Sequence, residues 1–152
     1  MANLAENRQA SYSYELLDQF EGGLALTGSE VKAAKQGSVH LKGAYLSFVN
    51  GELWVKLMHI APYPAAGKQP NYDPLRARKV LIHRKEQKLL LGKTETAGLT
   101  IVPLRVYTKG DLVKLAFALA RGKKAYEKRE SIKTRDVKRH MAEEVKRTRF
   151  GT

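Results

Sequence analysis

Residues 112–120 alternate with a period of two. Val113, Leu115, Phe117 and Leu119 fall on one side, while Lys114, Ala116, Ala118 and Ala120 fall on the other. That period puts successive side chains on opposite faces of an extended strand. One face is bulky and apolar; the other is small, which suits a tightly curved or covered sheet. Residues 100–108 form a second strand-like run, and Lys109-Gly110 between the two predicts a hairpin. The device recurs at Asn50-Gly51, between residues 44–49 and 52–58. Asn-Gly flanked by apolar alternation is the strongest short-range hairpin signal. The chain is therefore built around antiparallel strands.

Around these hairpins the text gives shorter elements. Residues 12–26 read as one long strand broken at Gly22-Gly23, or as two short ones. Paired glycines inside a strand mark a bulge or the close approach of another backbone. Thr27 followed by Glu30 has capping-box spacing, and Gly37 is the expected stop. The helix between them should bury Val31 and Ala34 and turn Lys32 and Lys35 outward. Residues 61–74 hold four of the five prolines and read as a loop, of a length that is often functional. Residues 80–82 start a strand, and 84–91 give one or two helical turns ending at Gly92. Residues 1–11 are polar and expected to be flexible. Five or six short antiparallel strands with short flanking helices predict a mainly β fold, a small closed barrel of the OB type. Closure removes exposed edges. An open α+β sheet is the alternative.

A chain of 152 residues favours a single domain. Here it is a barrel over residues 12–130, followed by a basic tail over residues 131–152. The stretch 121–152 holds 12 of the 28 Lys and Arg against 5 of the 15 acids. With a net charge of +13 and a pI near 10.0, this pattern fits a protein that grips polyanions, nucleic acid above all. In the tail Val137, Met141 and Val145 are four apart, a narrow apolar stripe among cations. Isolated helices of about 12–15 residues are marginal in water, and like charges weaken them further. The expectation is a tail disordered alone and helical on a polyanionic partner. There is no cysteine, which excludes disulfides, thiolate metal sites and a Cys nucleophile. No apolar run resembles a signal peptide or a membrane span, so the expected location is the cytoplasm, with no membrane partner.

Three basic clusters could reach phosphates: Arg76-Ala-Arg78-Lys79, Arg84-Lys85 and Gly122-Lys123-Lys124. Each phosphate neutralised releases condensed counterions. Tyr63 and Tyr72, on the proline-rich loop, are the better candidates for stacking on unpaired bases. His40, His59, His83 and His140 are dispersed and lack metal-ligand spacing. No P-loop, dinucleotide glycine fingerprint or GxSxG is present, so no catalytic residue, metal site or cofactor is expected. Glu21 is an acid in a basic body, just before the glycine pair. A carboxylate can accept from the N1–H and N2–H edge of an unpaired guanine; it can equally form a surface salt bridge.

Several stretches taken together resemble the small protein B (SsrA-binding protein) family of bacteria. They are Asn7-Arg8-Gln9-Ala10, residues 20–32 (FEGGLALTGSEVK), residues 73–81 (DPLRARKVL), Val102-Pro103-Leu104 and residues 122–130 (GKKAYEKRE). The resemblance implies an OB-fold barrel that binds the tRNA-like domain of transfer-messenger RNA. It implies delivery of that RNA to stalled 70S ribosomes in trans-translation, the tail sensing the empty decoding centre and mRNA channel. Alanyl-tRNA synthetase and elongation factor Tu would be reached only through the RNA, and a monomer is expected. By the same resemblance Glu21, Leu81 and His83 lie on the RNA surface. Asn7, Arg8, Lys32, Arg76, Arg78 and Lys79 line or support it. Gly122, Lys123, Lys124, Lys128, Arg129, Lys133, Arg135, Lys138 and Arg139 engage the ribosome. The family often has Ala where Gly22 stands, and usually Asp where Glu127 stands.

Overall fold

A computed structural model of the chain describes residues 2–96 and 98–122. In chain order the described elements are β1 (Asn3–Glu6), α1 (Ala10–Ser13), β2 (Tyr14–Leu24), α2 (Gly28–Lys35), β3 (Val39–His40) and β4 (Tyr45–Val49). They continue with β5 (Glu52–Lys56), β6 (His59–Ile60), β7 (Arg78–Leu81), α3 (Arg84–Thr96), β8 (Thr100–Lys109) and β9 (Leu112–Gly122). Seven strands pair in the order β1-β8-β4-β5-β7-β2-β9, and β8 also pairs with β9. Six of them therefore pair in a ring, with β1 attached outside it. All the pairings in this sheet are antiparallel. β3 and β6 form a separate two-stranded ribbon.

Both hairpins form, the first at Asn50-Gly51 as expected and the second one residue later than expected, at Gly110-Asp111 with Lys109 paired to Leu112. Asn50 and Gly51 have φ of 52° and 77°, the left-handed pair that a two-residue turn needs to match strand twist. Val113, Leu115, Phe117 and Leu119 of β9 enter the main core with Val55, Met58, Ile60, Ile101 and Val106. The small face is covered as well. Ala120 packs with Ala10 and Val102 in a second cluster, flanked by Tyr14, Leu16 and Leu104. α1 thus lies against the outside of the β8–β9 hairpin, while the start of β2 pairs edge to edge with the end of β9.

The glycine pair does not break β2, which runs unbroken from Tyr14 to Leu24. It marks a close approach instead. A Cβ at Gly22 would lie 2.6 Å from Val80 Cγ1 and 3.1 Å from the Leu81 carbonyl oxygen of β7. The register shift in β2 falls earlier, between Leu16 and Gln19. The capping box forms in full: Thr27 N–H donates to Glu30 Oε1 at 3.0 Å, and Glu30 N–H to Thr27 Oγ1 at 3.2 Å. α2 buries Glu30, Ala33 and Ala34; Val31 is half-buried, and Lys32 and Lys35 point outward.

Three expectations need correction. Residues 1–11 are not loose as far as Ala2 onward is described. β1 pairs with β8, Asn7 N–H donates to the Leu104 carbonyl at 2.8 Å, and Asn7 Nδ2 donates to the Pro103 carbonyl at 2.9 Å. The helix after β7 does not end at Gly92 but runs to Thr96, and the left-handed glycine beyond it is Gly98, at φ 62°. Gly92 has helical geometry and is tolerated inside the helix at a cost in propensity. Nor is Arg78 a surface cation: it is 0 % exposed. The reading of residues 131–152 as a basic tail falls outside the described residues. So do Lys123, Lys124, Lys128, Arg129, Lys133, Arg135, Lys138 and Arg139.

Candidate nucleic-acid interface

Where β2 leaves β9 to pair with β7, the sheet opens into a concavity of about 550 Å³ lined by Glu21, Gly22, Gly23, Leu24, Leu26, Val31, Leu81, Ile82, His83 and residues 111–114. Three residues singled out from the sequence, Glu21, Leu81 and His83, meet there. Leu81 and Leu112 are large apolar side chains left 52 % and 63 % exposed on its rim. An apolar rim beside a fixed carboxylate suits a ligand with flat faces and polar edges, such as an unpaired base.

The carboxylate of Glu21 is held in place. Lys114 Nζ lies 3.0 Å and Lys109 Nζ 3.5 Å from the same oxygen, Oε1. A hydrogen bond from the Tyr107 hydroxyl, then one from Lys114, hold the Glu21 carboxyl at about 2 against a smaller upward push from burial, with the charges of Lys109 and Lys114 adding. Burial pushes the Tyr107 phenol up to about 12, and Glu21 contributes to the rise. The salt bridge foreseen for Glu21 therefore exists. It engages one carboxylate oxygen while the side chain stays on the groove wall. An ionised carboxylate only accepts hydrogen bonds, so a group meeting Glu21 here must offer a donor. Lys109, Lys114 and Tyr107 were not picked out from the sequence. The available signal was Lys114 itself, the one cation on the small face of β9.

The other expected residues are distributed. Lys32 is exposed on α2 with its Nζ 5.8 Å from the centre of the Tyr63 ring, one residue from Val31 of the groove wall. Lys79 lies 3.5 Å from Glu52. Arg76 and Arg78 both turn to Glu30. Arg78 Nε and Nη2 reach Glu30 Oε2 at 2.8 and 2.6 Å, and Nη1 donates to the Met58 carbonyl. Arg76 Nε reaches Glu30 Oε2 at 3.1 Å, and its Nη2 pairs with Oε1. Burial would raise the Glu30 carboxyl; the hydrogen bonds of Arg76, the Thr27 backbone and Arg78 outweigh it and hold it at about 2. Arg78 therefore supports the fold beneath the surface and cannot touch a phosphate. Tyr72 belongs to the same network: its hydroxyl donates to the Ile60 carbonyl at 2.8 Å and accepts from Arg78 Nη2 at 3.0 Å. This corrects its reading as a stacking residue. Asn7 and Gly122 line a second concavity of about 620 Å³ with Gln9, Tyr14 and Tyr45, where β9 ends. Arg8 is exposed next to it in sequence.

Among the described residues no group of three or more His, Asp or Glu side chains could hold a metal ion, and no helix is long and apolar enough to cross a membrane.

The chain is 46 % identical over 144 residues to an SsrA-binding protein of Gloeothece citriformis (strain PCC 7424), covering 95 % of this chain and 93 % of the relative. It is 47 % identical over 143 residues to an SsrA-binding protein of Nostoc sp. (strain PCC 7120 / SAG 25.82 / UTEX 2576), covering 94 % and 92 %. A solved structure described as "tmRNA-SmpB: a journey to the center of the bacterial ribosome" superposes with a TM-score of 0.65 at 44 % identity, over 84 % of this chain and 92 % of that one. The family model described as SmpB protein matches residues 4–147, nearly the whole sequence, and the chain belongs to that family.

Proposed function

We propose that this chain binds the tRNA-like domain of transfer-messenger RNA and delivers it to stalled ribosomes in trans-translation. The observation that supports this most strongly is the meeting of Glu21, Leu81 and His83 in one groove of a chain with net charge +13. The body acts as an OB-fold-like closed barrel, a reading supported by the ring of strand pairings. Its groove takes the RNA by shape, by an apolar rim for unpaired bases and by a carboxylate that accepts from a base edge. Lys32, Lys79 and Arg8 lie exposed or half-exposed where they can meet phosphates. Glu30, Arg76 and Arg78 hold α2 and the proline-rich loop in register with β7.

The cationic sequence after Gly122 provides the second surface. Lys123, Lys124, Lys128, Arg129, Lys133, Arg135, Lys138 and Arg139 engage ribosomal RNA in the decoding centre and the empty mRNA channel, where residues 131–152 form a helix. An intact message would occupy the same space, so occupancy distinguishes stalled from active ribosomes. Alanyl-tRNA synthetase and elongation factor Tu are met only through the RNA. The protein works in the cytoplasm as a monomer and performs no chemistry of its own. Deleting residues 131–152 separates the two surfaces. The truncated protein should keep its affinity for the tRNA-like domain and lose tagging on stalled ribosomes. Loss of most RNA affinity on truncation would contradict the division.

A further inference from the structure

Trp54 is the only tryptophan of the chain, and the fold does not use it as core. Its neighbours on β5, Leu53 and Val55, are buried, so the alternation of the strand turns Trp54 to the outer face of the sheet. There it is half-buried and belongs to neither apolar cluster. Among the described residues no aromatic ring and no cation stacks on it. An indole left partly in water forgoes burial that a partner restores, which is why tryptophan carries so much of the energy of interfaces.

The surroundings of Trp54 lead to the Glu21 groove. Across the sheet, Trp54 is paired with the small Ser47 of β4 on one side and with Lys79 of β7 on the other. Leu81 lies two residues beyond Lys79 on β7, on the same outer face, and lines the groove. Two strand residues span about 7 Å and one strand spacing about 5 Å, so the step from Leu81 to Lys79 to Trp54 is short. The groove itself has no Phe, Tyr or Trp among its lining residues. Cations flank the indole. Lys56, two residues along β5 on the same face, forms no ion pair among the described residues. Lys79 is paired only with Glu52, at 3.5 Å, and both side chains are largely exposed. An exposed pair of this kind holds little energy, so the lysine is free to turn to a phosphate.

We propose that Trp54 stacks on an unpaired base of the RNA held in the Glu21 groove, one beyond the nucleotide that meets Glu21, while Lys79 and Lys56 meet its phosphates. The inference rests on the reading under Proposed function. A ring between lysines is what single-stranded nucleic acid uses, the base on the π-face and the backbone on the cations. Continuity of the outer face through Lys79 and Leu81 identifies the occupant as the RNA already bound.

Because the chain has one tryptophan, its fluorescence reports this position without a label. The full-length protein is titrated with the tRNA-like domain, and affinities are measured for Trp54→Phe, Trp54→Ala and Glu21→Ala, with vacant ribosomes in parallel. Emission from Trp54 should fall as the complex forms, with the same midpoint as binding. Trp54→Ala should weaken binding to the tRNA-like domain roughly tenfold, and Trp54→Phe, which keeps a ring, should retain most of the affinity. If Trp54→Ala fails to fold, the emission of the parent decides. Unchanged emission at saturation would overturn the proposal, and so would full affinity in a folded Trp54→Ala. A loss confined to ribosome binding would do the same, because the occupant would then be ribosomal RNA. Glu21→Ala separates the two readings. If it weakens RNA binding while Trp54 is silent, the stacking seat alone fails; if neither substitution affects binding, the groove reading fails and the seat with it.

Discussion

Glu30 and Arg78 meet inside the protein with side chains 1 % and 0 % exposed, Arg78 Nη2 lying 2.6 Å from Glu30 Oε2. The pair joins three parts of the chain. Glu30 caps α2, Arg78 opens β7, and Tyr72 and Arg76 bring in the end of the proline-rich loop. β7 forms one wall of the Glu21 groove through Leu81, so this interior network sets where that wall stands.

Breaking the pair from one side leaves a charge buried without its partner, at a cost of about 3–5 kcal/mol. Glu30→Ala should therefore destabilise by about that amount in chemical denaturation, because two guanidiniums lose their acceptor. Tyr72→Phe removes a single hydroxyl and should cost about 1 kcal/mol. Equal effects of the two would contradict the central place given to Glu30.

The same carboxyl governs the acid limb of stability. It titrates at about 2 in the folded protein against an ordinary value of 4.5. As pH falls, the unfolded chain takes up this proton first, which draws the equilibrium toward unfolding. The contribution is complete above about pH 4.5 and is lost progressively toward pH 2. Glu30→Gln should flatten stability against pH in that window; an unchanged acid limb would assign it to other groups.

Gly22→Ala probes the contact between β2 and β7. The new methyl would meet Val80 Cγ1 at 2.6 Å and Ile82 Cγ2 at 3.0 Å. Val80 is 2 % exposed and β-branched, so it has little room to turn. Overpacking of this kind costs about 1–3 kcal/mol. Combining it with Val80→Ala should cost less than the sum of the two single changes, since the second relieves the clash. Additive losses would place the strain elsewhere.

What could be read from the sequence follows from locality. Asn50-Gly51, the Thr27–Glu30 box and the alternation through β9 are each decided by neighbours a few residues apart, and each formed as read; the second hairpin also formed, but its turn lies one residue beyond Lys109-Gly110, at Gly110-Asp111. Glu21 stood out as an acid before the glycine pair, Leu81 and His83 came from motif resemblance, and the fold brought the three together. The residues misread were those whose environment is set from afar. Arg78 looks like a member of a surface cluster until Glu30, 48 residues earlier, claims it in the interior. Asn3–Glu6 carries too little apolar pattern to announce a strand; its order comes from pairing with β8, about a hundred residues away. Tyr107 and the lysines that hold Glu21 lie on another hairpin, so their role had no local signature.

Lys114 is expected to supply part of the lowering of the Glu21 carboxyl, second to the Tyr107 hydroxyl. Carboxyl-carbon NMR should show the Glu21 side chain titrating near 2 in the parent protein and moving toward 4.5 in Lys114→Met, with the Tyr107 hydrogen bond retaining part of the shift. An unmoved midpoint would mean that Lys114 does not hold the carboxylate.

The most direct test of the groove is Glu21→Ala, with affinities measured for the tRNA-like domain of transfer-messenger RNA and for random-sequence RNA of equal length at one salt concentration. Losing a charged acceptor for a base edge should weaken specific binding by about tenfold or more and leave random-RNA binding unchanged or slightly tighter. Equal weakening of both, or of neither, would contradict the account and leave Glu21 a surface salt bridge.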